Sequence, residues 1–537
     1  MDEGKVVPLD EGKKKQPPAP PTDKRPEIKI EEGQLPRAVQ QSIEALAASG
    51  SIYVYGNRLV VIHTTAKEEV GTITRPAGAA RVHYVDGVLL TEMLTKVARF
   101  RKYDRRLEEE SRWRTINAPR RLGDHILARG TWPEFKQLDG IVETPTIWRG
   151  EIVDRPGYHL SSRLFLAARP AGYKPPPDLP SPRETEAAVD RLLDAVSTFP
   201  FETQADVAAC VAGIITAVVR RSLPSAPAIA ITANSPATGK SLLARVMSAI
   251  ATGRPPTLIS LNGEEGEDEK RLGSALLAGD QILSADNVEA ALSGSLLCSM
   301  LTEPSAAVRM LGSSVLVPVP TNICLMINGN ALVIEKDLRR RVLLIRLNAG
   351  IERPEERTFS RDAVQYVLDR RGSLIRDILT IVKAYEIAGE PHVGTRSYGG
   401  FEEWDRVVRR PIVWLGLPDP LDPAEGLREV DPDLQACRTL FQVFVDIFGN
   451  RGATTAELIA AARKHNPRFD GDSEPAHPEL REVLQFIATD RLDSRRLGWW
   501  LRRHRDRIID GLSLRQGTDH HAKVAKWTVV ECGVKRD

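Results

Sequence analysis

The sequence predicts a multidomain α/β protein with a phosphate-binding α/β core, a small N-terminal α+β domain and a C-terminal winged-helix domain. Three observations predict it. An apolar strand at 228–233 runs through a short loop into Gly239-Lys240-Ser241 and then a helix. Further apolar strands recur downstream at 322–327 and 342–347. Beyond residue 453, three helical patterns precede two strands, which is the order of elements in a winged helix.

Length and composition indicate an ordinary globular protein of several domains. At 537 residues the chain has room for about three or more domains of roughly 150 residues. The net charge of +2 implies no partner for the chain as a whole. The five cysteines include no C-x-x-C pair, so neither zinc nor a disulfide framework is indicated, and a reducing cytoplasm is the simplest location. The N-terminus lacks an apolar signal core, and the longest apolar run, 207–219, is too short to span a membrane.

The N-terminal third is predicted to hold a tail and a small mixed domain. Residues 1–36 are rich in Lys, Glu and Pro and are predicted to be disordered. The α+β domain, 37–180, begins with a helix at 35–48 and a hairpin at 52–62, followed by a β pair at 80–84 and 88–90 and a helix at 91–100. A basic run at 99–106 is either a solvated face or a nucleic-acid contact. A proline-rich linker at 175–182 closes the domain.

The loop before the core helix is predicted to bind phosphate. Backbone N–H groups at a helix N-terminus favour an anion, Lys240 would reach the β- and γ-phosphates, and the Ser241 hydroxyl would bind Mg²⁺. A Gly-Lys-Ser/Thr triplet occurs by chance only ~0.2 times in a chain of this length, and the strand before it and the helix after it strengthen the prediction. Asn234 replaces the usual first glycine, which is a mild departure because Asn tolerates a left-handed backbone. The predicted nucleotide-contacting residues are Asn234, Ser235, Pro236, Ala237, Thr238, Gly239, Lys240, Ser241 and Leu242.

Polar residues at later strand ends are the candidates for catalysis. Asp286 follows a short strand and is the second predicted Mg²⁺ ligand. Asn287 stands where an acid often polarises water, and an amide cannot accept the proton. Glu289 either substitutes for that acid or only faces solvent. Asn330 ends another strand near the γ-phosphate, unless Asn328-Gly329-Asn330 is merely a turn.

The order of these motifs resembles a known family. The P-loop is followed by a strand ending Asp-Asn, a helix at 296–302, Arg309-Met310-Leu311-Gly312, Gly329-Asn330, and Asp337 with Arg340-Arg341. Over roughly residues 130–420 this is similar to the phage- and plasmid-type superfamily 3 helicase ATPases of the AAA+ class, including the C-terminal halves of prophage primase-helicases.

The resemblance implies a role for each matching position. Lys240, Ser241 and Asp286 would handle ATP and Mg²⁺, and Asn330 would be the sensor. Arg340 or Arg341 would be the arginine finger that reaches the ATP of a neighbouring subunit. The alternative is that the adjacent arginines are only surface charge. Residues 309–318 would be the pore hairpin. The implied divisions are a helical collar at 181–222, the AAA+ ATPase at 223–350 and a helical segment at 351–430.

The C-terminal domain, 431–537, is predicted to bind DNA. The segment from Arg491 to Lys526 contains ten Lys/Arg and four Asp/Glu, and its net charge of +6 can neutralise phosphates. Leu497, Trp500 and Leu501 are predicted to face the core. A winged helix used for protein contact is the alternative, and His520-His521 is read as a polar wing tip rather than a metal site. The predicted DNA-contacting residues are Ser494, Arg495, Arg496, Arg502, Arg503 and Lys523.

The function predicted from these features is that of an ATP-dependent DNA helicase or replication initiator of a phage, plasmid or integrated mobile element. It would translocate on single-stranded DNA as a homo-oligomeric ring of about six subunits. Its partners would be single- and double-stranded DNA and, optionally, a primase or polymerase, with no membrane. The alternative is an ATP-switched DNA-binding regulator without unwinding activity, which Asn287 favours. A small-molecule kinase gains little support, because it would leave the winged helix and the paired arginines without a role.

Overall fold

The computed structural model describes residues 23–537 apart from 71–72, 110–111, 290–291, 293, 311–314, 331, 333, 335, 352, 425–431, 468–472, 490, 520–523 and 532–537. The predicted mixed α/β class is confirmed, since helices and strands alternate along most of this part of the chain.

The N-terminal region combines two small sheets with three helices. Its helices are α1 (Leu35–Ser49), α2 (Gly87–Val97) and α3 (Arg120–Ala128). Its strands are β1 (Glu27–Ile30), β2 (Ile52–Tyr55), β3 (Arg58–Thr64), β4 (Glu68–Val70), β5 (Ile73–Arg75), β6 (Ala80–Tyr84), β7 (Arg99–Tyr103), β8 (Trp113–Ile116) and β9 (Lys136–Gln137). Strands β1, β7 and β8 form one sheet, and β6, β3, β2 and β9 form another.

Two predictions for this region are wrong. Residues 88–90 belong to α2 rather than to a strand, because the Asp86 carboxylate accepts the Leu89 N–H and caps the helix, whose Leu90 and Leu94 are buried one turn apart. The predicted tail contains the strand β1, which pairs in parallel with β7 and buries Ile28. Its two isoleucines, Ile28 and Ile30, alternate with charged residues, but a pattern of four residues in a charged segment does not indicate which distant strand it pairs with.

The segment between this region and the central sheet contains five short strands and two helices. They are β10 (Gly140–Val142), β11 (Thr146–Trp148), β12 (Glu151–Val153), β13 (Gly157–His159), β14 (Leu164–Leu166), α4 (Pro182–Val196) and α5 (Gln204–Val219). Helix α5 is buried along nearly its whole length, as its continuous apolar sequence predicts. Capping boxes at Ser181 and Thr203 begin the two helices.

The centre of the molecule is a seven-stranded sheet. The elements that build and cover it are β15 (Ala228–Ala233), α6 (Lys240–Thr252), β16 (Thr257–Ile259), α7 (Glu265–Ala278), β17 (Ile282–Ala285), α8 (Ser295–Thr302), β18 (Ser305–Arg309), β19 (Leu316–Pro320), β20 (Cys324–Asn330), α9 (Lys336–Arg339) and β21 (Val342–Leu347). The strand order is β21-β15-β20-β17-β16-β5-β4. The neighbours from β21 to β16 are parallel, whereas β5 and β4 from the N-terminal region extend the sheet in antiparallel pairing. The carboxyl ends of β15, β20 and β17 therefore lie side by side at one edge.

Helices follow the sheet, and the C-terminal region has a hydrophobic core of its own. The helices are α10 (Ala363–Asp369), α11 (Arg371–Ile387), α12 (Glu402–Trp404) and α13 (Arg410–Trp414). The C-terminal elements are α14 (Pro432–Phe448), β22 (Ala453–Thr454), α15 (Thr455–Arg463), β23 (His465–Pro467), β24 (Ser473–Pro475), α16 (Pro478–Ala488), α17 (Ser494–Arg503), β25 (Ile508–Ile509), β26 (Leu512–Asp519) and β27 (Val524–Glu531). Their buried side chains form a cluster separate from that of the central sheet.

A buried arginine ties the end of α5 to the central sheet. The Arg220 guanidinium donates to the backbone oxygens of Leu223 at 2.7 Å, Ile323 at 3.1 Å and Thr321 at 3.1 Å. Burial lowers its pKa to about 10, so the group is charged at neutral pH.

We expect Arg220→Met to lower the free energy of unfolding of the part of the chain built on the central sheet by at least ~3 kcal/mol, because the substitution leaves several buried carbonyl oxygens without donors. A urea titration followed by circular dichroism measures the change. Arg353→Met is the matched control, since Arg353 is exposed and should change stability by less than ~0.5 kcal/mol. Equal stability of the two variants would contradict the structural role assigned to Arg220.

Candidate functional site

A tight loop at residues 234–239 joins β15 to α6. Thr238 is buried, and its hydroxyl donates to the Ser235 carbonyl oxygen at 2.7 Å, which closes the loop on itself. The backbone is left-handed at Ala237, with φ of 56°, and at Gly239, with φ of 107°. Helix α6 begins at the next residue, so its first N–H groups open toward the loop.

The ammonium group of Lys240 lies between two strand ends. Its Nζ donates to Asn330 Oδ1 at 2.6 Å and to the Ser235 carbonyl oxygen at 3.4 Å. Asn330 ends β20 and is in register with Ala233 at the end of β15. Burial lowers the pKa of Lys240, while the nearby charge of Asp286 acts in the opposite direction.

A hydroxyl and a carboxylate meet beside this lysine. Ser241 Oγ donates to Asp286 Oδ1 at 2.8 Å, and the same carboxylate oxygen accepts the Asn287 N–H at 3.0 Å. Asp286 directly follows β17, and both ends of the Ser241–Asp286 contact are accessible to solvent. Alcohol and carboxylate oxygens are the ligands that Mg²⁺ prefers, so the donor set fits that ion.

Asn287 and Glu289 lie next to this pair. The Asn287 side-chain amide donates to Glu289 Oε1 at 3.1 Å, and Asn287 has a left-handed φ of 51°. Both side chains are exposed. A carboxylate that can accept a proton is thus held three residues after Asp286, although the position directly after Asp286 carries an amide.

The two candidate arginines differ in their surroundings. Arg341 Nη1 donates to the Cys298 carbonyl oxygen at 2.9 Å and to Thr302 Oγ1 at 3.3 Å, so it packs against the last turn of α8 in its own chain. Arg340 follows α9 and is exposed. The side chain of Asp337 is outside the described residues.

The turn interpretation of Asn328-Gly329-Asn330 is wrong. All three residues belong to strand β20, and Asn328 is buried with its amide donating to Ser284 Oγ of β17 at 3.1 Å. A Cβ atom at Gly329 would collide with the Val288 carbonyl oxygen, so this position needs glycine. Asn328 and Gly329, which precede Asn330 in β20, therefore hold Asn330 at the end of the central sheet.

Sequence reasoning missed Phe199, which lies beside the loop. Its ring is 3.6 Å from the position that a Cβ atom on Gly239 would occupy. The segment after it runs along β21, since Asn348 N donates to the Pro200 carbonyl oxygen at 2.7 Å. In the sequence, Phe199-Pro200 follows a predicted helix, and this pattern indicates only weakly that Phe199 lies beside the loop at 234–239.

A hairpin, β18–β19, covers part of the segment predicted to be a pore hairpin. The pair next to its tip packs on two elements: Val308 lies against Gly273 of α7, and Val317 lies against Gly56 in the turn between β2 and β3. Leu311 and Gly312, quoted for the family resemblance, are outside the described residues.

Helix α17 presents the candidate nucleic-acid interface. Asp493 caps it by accepting the Arg495 N–H at 2.7 Å and the Arg496 N–H at 3.1 Å. The predicted core residues Leu497, Trp500 and Leu501 are buried, which confirms that face. The exposed residues include Ser494, Arg495, Arg496, Arg502 and Arg503. Lys523 and His520-His521 are outside the described residues.

Sequence reasoning also missed Trp499 on this helix. Its side chain is 60% exposed, and the Arg503 guanidinium lies 5.5 Å from its ring. Helical spacing assigned Trp500 to the core and gave no role to its neighbour.

No family model and no curated protein matches the chain. Solved structures similar to it include the NrS-1 C-terminal region, at 12% identity and a TM-score of 0.37 over 94% of this chain and 100% of the other. The active helicase SCCmec type IV Cch has 12% identity and a TM-score of 0.34 over 90% and 97%. The JCV helicase has 13% identity and a TM-score of 0.20 over 46% and 68%. Identities and TM-scores this low support no conclusion about function. The functional proposal therefore rests on the geometry of the site.

Across the described residues, no helix combines the length and the apolar character needed to cross a bilayer.

Proposed function

We propose that the chain hydrolyses ATP and uses the energy to move on and unwind DNA. The observation that supports ATP hydrolysis is the meeting of Lys240, Ser241, Asp286 and Asn330 at the carboxyl ends of three adjacent parallel strands. Crevices at such strand ends bind ligands, and a helix N-terminus beside a cation favours phosphate.

Each side chain has a distinct task in this proposal. Residues 234–239 and the first turn of α6 bind phosphate oxygens through backbone N–H groups, and Lys240 neutralises their charge. Asn330 orients Lys240 through the 2.6 Å hydrogen bond. Ser241 and Asp286 hold Mg²⁺, which when bound would neutralise charge that develops on the phosphate.

The attacking water needs a group that takes its proton. Glu289 is the candidate base, because the Asn287 amide holds its carboxylate at 3.1 Å and can itself orient water without accepting a proton. Burial lowers the pKa of Lys240, which reflects a site partly removed from water, where charge interactions strengthen.

The motor part of the proposal concerns a ring of identical subunits, of the superfamily 3 type and about six in number. Arg340, exposed after α9, would reach the ATP of the neighbouring subunit, whereas Arg341 braces α8. The hairpin β18–β19 would contact single-stranded DNA, and α17 would contact duplex DNA. Replication of a phage, plasmid or integrated element, with a primase or polymerase as partner, is the setting proposed for this activity.

Steady-state ATP turnover with and without single-stranded DNA tests the proposal. We expect turnover that single-stranded DNA stimulates, and we expect Glu289→Gln to lower it by ~10²-fold or more because a general base is lost. Glu303→Gln is the matched control and should keep normal turnover. Near-zero turnover in the unsubstituted protein, unaffected by DNA, would contradict the motor.

That contradictory result would favour the second candidate, a DNA-binding regulator that ATP switches without being consumed. The amide at Asn287 is the observation behind it, because a site without a base binds nucleotide but hydrolyses it slowly.

For the C-terminal domain, we expect Arg495→Ala/Arg496→Ala to weaken binding to duplex DNA by ~10-fold or more and to reduce the salt dependence of the affinity. Fluorescence anisotropy at several salt concentrations measures both. Lys464→Ala/Arg481→Ala removes the same charge from another part of the domain, where Lys464 is exposed and Arg481 is half-buried, and is expected to have a small effect. Equal losses in the two double variants would argue against α17 as the contact.

A further inference from the structure

Among the described residues, one face of the three-stranded sheet β1-β7-β8 packs on the core, and the side chains of the other face are exposed or half-buried. Ile28, Phe100 and Ile116 pack inward with the hydrophobic core of the N-terminal region. Side chains alternate along a strand, so their neighbours point to the opposite face. The register brings together on that outer face Glu27, Lys29, Arg99, Arg101, Tyr103, Trp113 and Thr115.

Two aromatic rings on the outer face lie together among cations. Tyr103 and Trp113 are paired across β7 and β8, and their rings meet edge to face with centroids 5.4 Å apart. Lys29 Nζ is 4.8 Å from the Trp113 ring centroid, and Arg112 Nη1 donates to the Tyr103 hydroxyl at 3.5 Å. Tyr103 is 41% exposed, so its ring can be reached from solvent.

The charge of this face is positive. Lys29, Arg99 and Arg101 are the cations that the register places on it, against the single anion Glu27. Glu27 balances part of it by pairing with Arg99 at 2.7 Å and with Arg101 at 3.5 Å. Arg105 and Arg106 extend the basic surface into the exposed loop after β7.

We propose that this outer face binds a single-stranded polynucleotide, with bases stacking on Tyr103 and Trp113 and phosphates pairing with Lys29 and Arg101. Flat aromatic side chains beside cations suit single strands, because every base has a π-face and no sequence is required. The bases of a duplex are stacked on one another and cannot reach the rings. An acidic protein would use the cations but would leave the rings without a function.

The test measures anisotropy of labelled 20-nucleotide oligo-dT and oligo-U, without ATP, in the full chain carrying Arg495→Ala/Arg496→Ala to weaken binding by α17. We expect Tyr103→Ala/Trp113→Leu to lower affinity by ~10-fold or more and Tyr103→Phe/Trp113→Phe to retain it within about twofold. The two oligonucleotides distinguish DNA from RNA as the ligand.

A second pair of variants tests the charges. Lys29→Ala/Arg101→Ala should reduce the slope of log affinity against log salt by ~1.4, since each phosphate contact on a single strand contributes ~0.7. Lys102→Ala/Arg114→Ala removes the same charge from the other face of the same strands and should leave the slope nearly unchanged.

Three results would overturn the proposal: unchanged affinity in Tyr103→Ala/Trp113→Leu, equal affinity for a blunt duplex, or displacement of the oligonucleotide by polyglutamate at equal charge. Tyr103→Phe/Trp113→Phe guards against misfolding, because it keeps the rings. Binding should persist in Lys240→Ala, so failure of the proposed ATPase and failure of this surface are separate outcomes.

Discussion

Replacement of Lys240 by alanine is expected to lower ATP turnover by at least ~10²-fold and to abolish unwinding. In the proposed function Lys240 is the cation that neutralises phosphate charge at the carboxyl ends of β15 and β20, and an electrostatic contribution of this kind is worth that much in other enzymes. Release of phosphate from ATP and separation of a fluorescent fork measure the two activities. Duplex binding through α17 should survive, because α17 belongs to a separate hydrophobic core.

Lys270→Ala is the matched control for this variant. Lys270 is exposed on α7, paired with Glu267 at 2.6 Å, and its loss should leave turnover unchanged. A Lys240→Ala protein with normal turnover would refute the assignment of the loop at 234–239 as the nucleotide site.

Arg340→Ala is expected to lower turnover by ~10³-fold or more while ATP still binds, because an arginine supplied by a neighbour stabilises the transition state rather than the bound nucleotide. Binding of a fluorescent ATP analogue, measured beside turnover, separates the two effects. Arg353→Ala removes an exposed arginine and should be silent.

Mixing two inactive variants tests whether Arg340 acts between subunits. In a 1:1 mixture of Arg340→Ala and Lys240→Ala subunits, about a quarter of head-to-tail interfaces combine an intact lysine with an intact arginine, so turnover should return in part. A mixture without activity, or full activity of Arg340→Ala alone, would contradict a finger supplied by a neighbour.

Local sequence determined the elements of the core. The strands at 228–233 and 342–347 were predicted from unbroken apolar runs, and the loop and the start of α6 from Gly239, Lys240 and Ser241. These signals depend on residues next to one another in the chain, which is why they could be predicted without a structure. The divisions into domains, the bound ATP and Mg²⁺, and the ring remain predictions.

Only the tertiary structure decided how distant residues combine. The hydrogen bond between Lys240 and Asn330 joins residues 90 positions apart. Arg341 packs against α8 of its own chain, a contact that the residues next to Arg341 in the sequence do not indicate. Strand β1 likewise exists because β7 offers it a partner. Pairing between remote strands is set by the packing of whole faces, and a single chain segment carries too little apolar pattern to specify its partner.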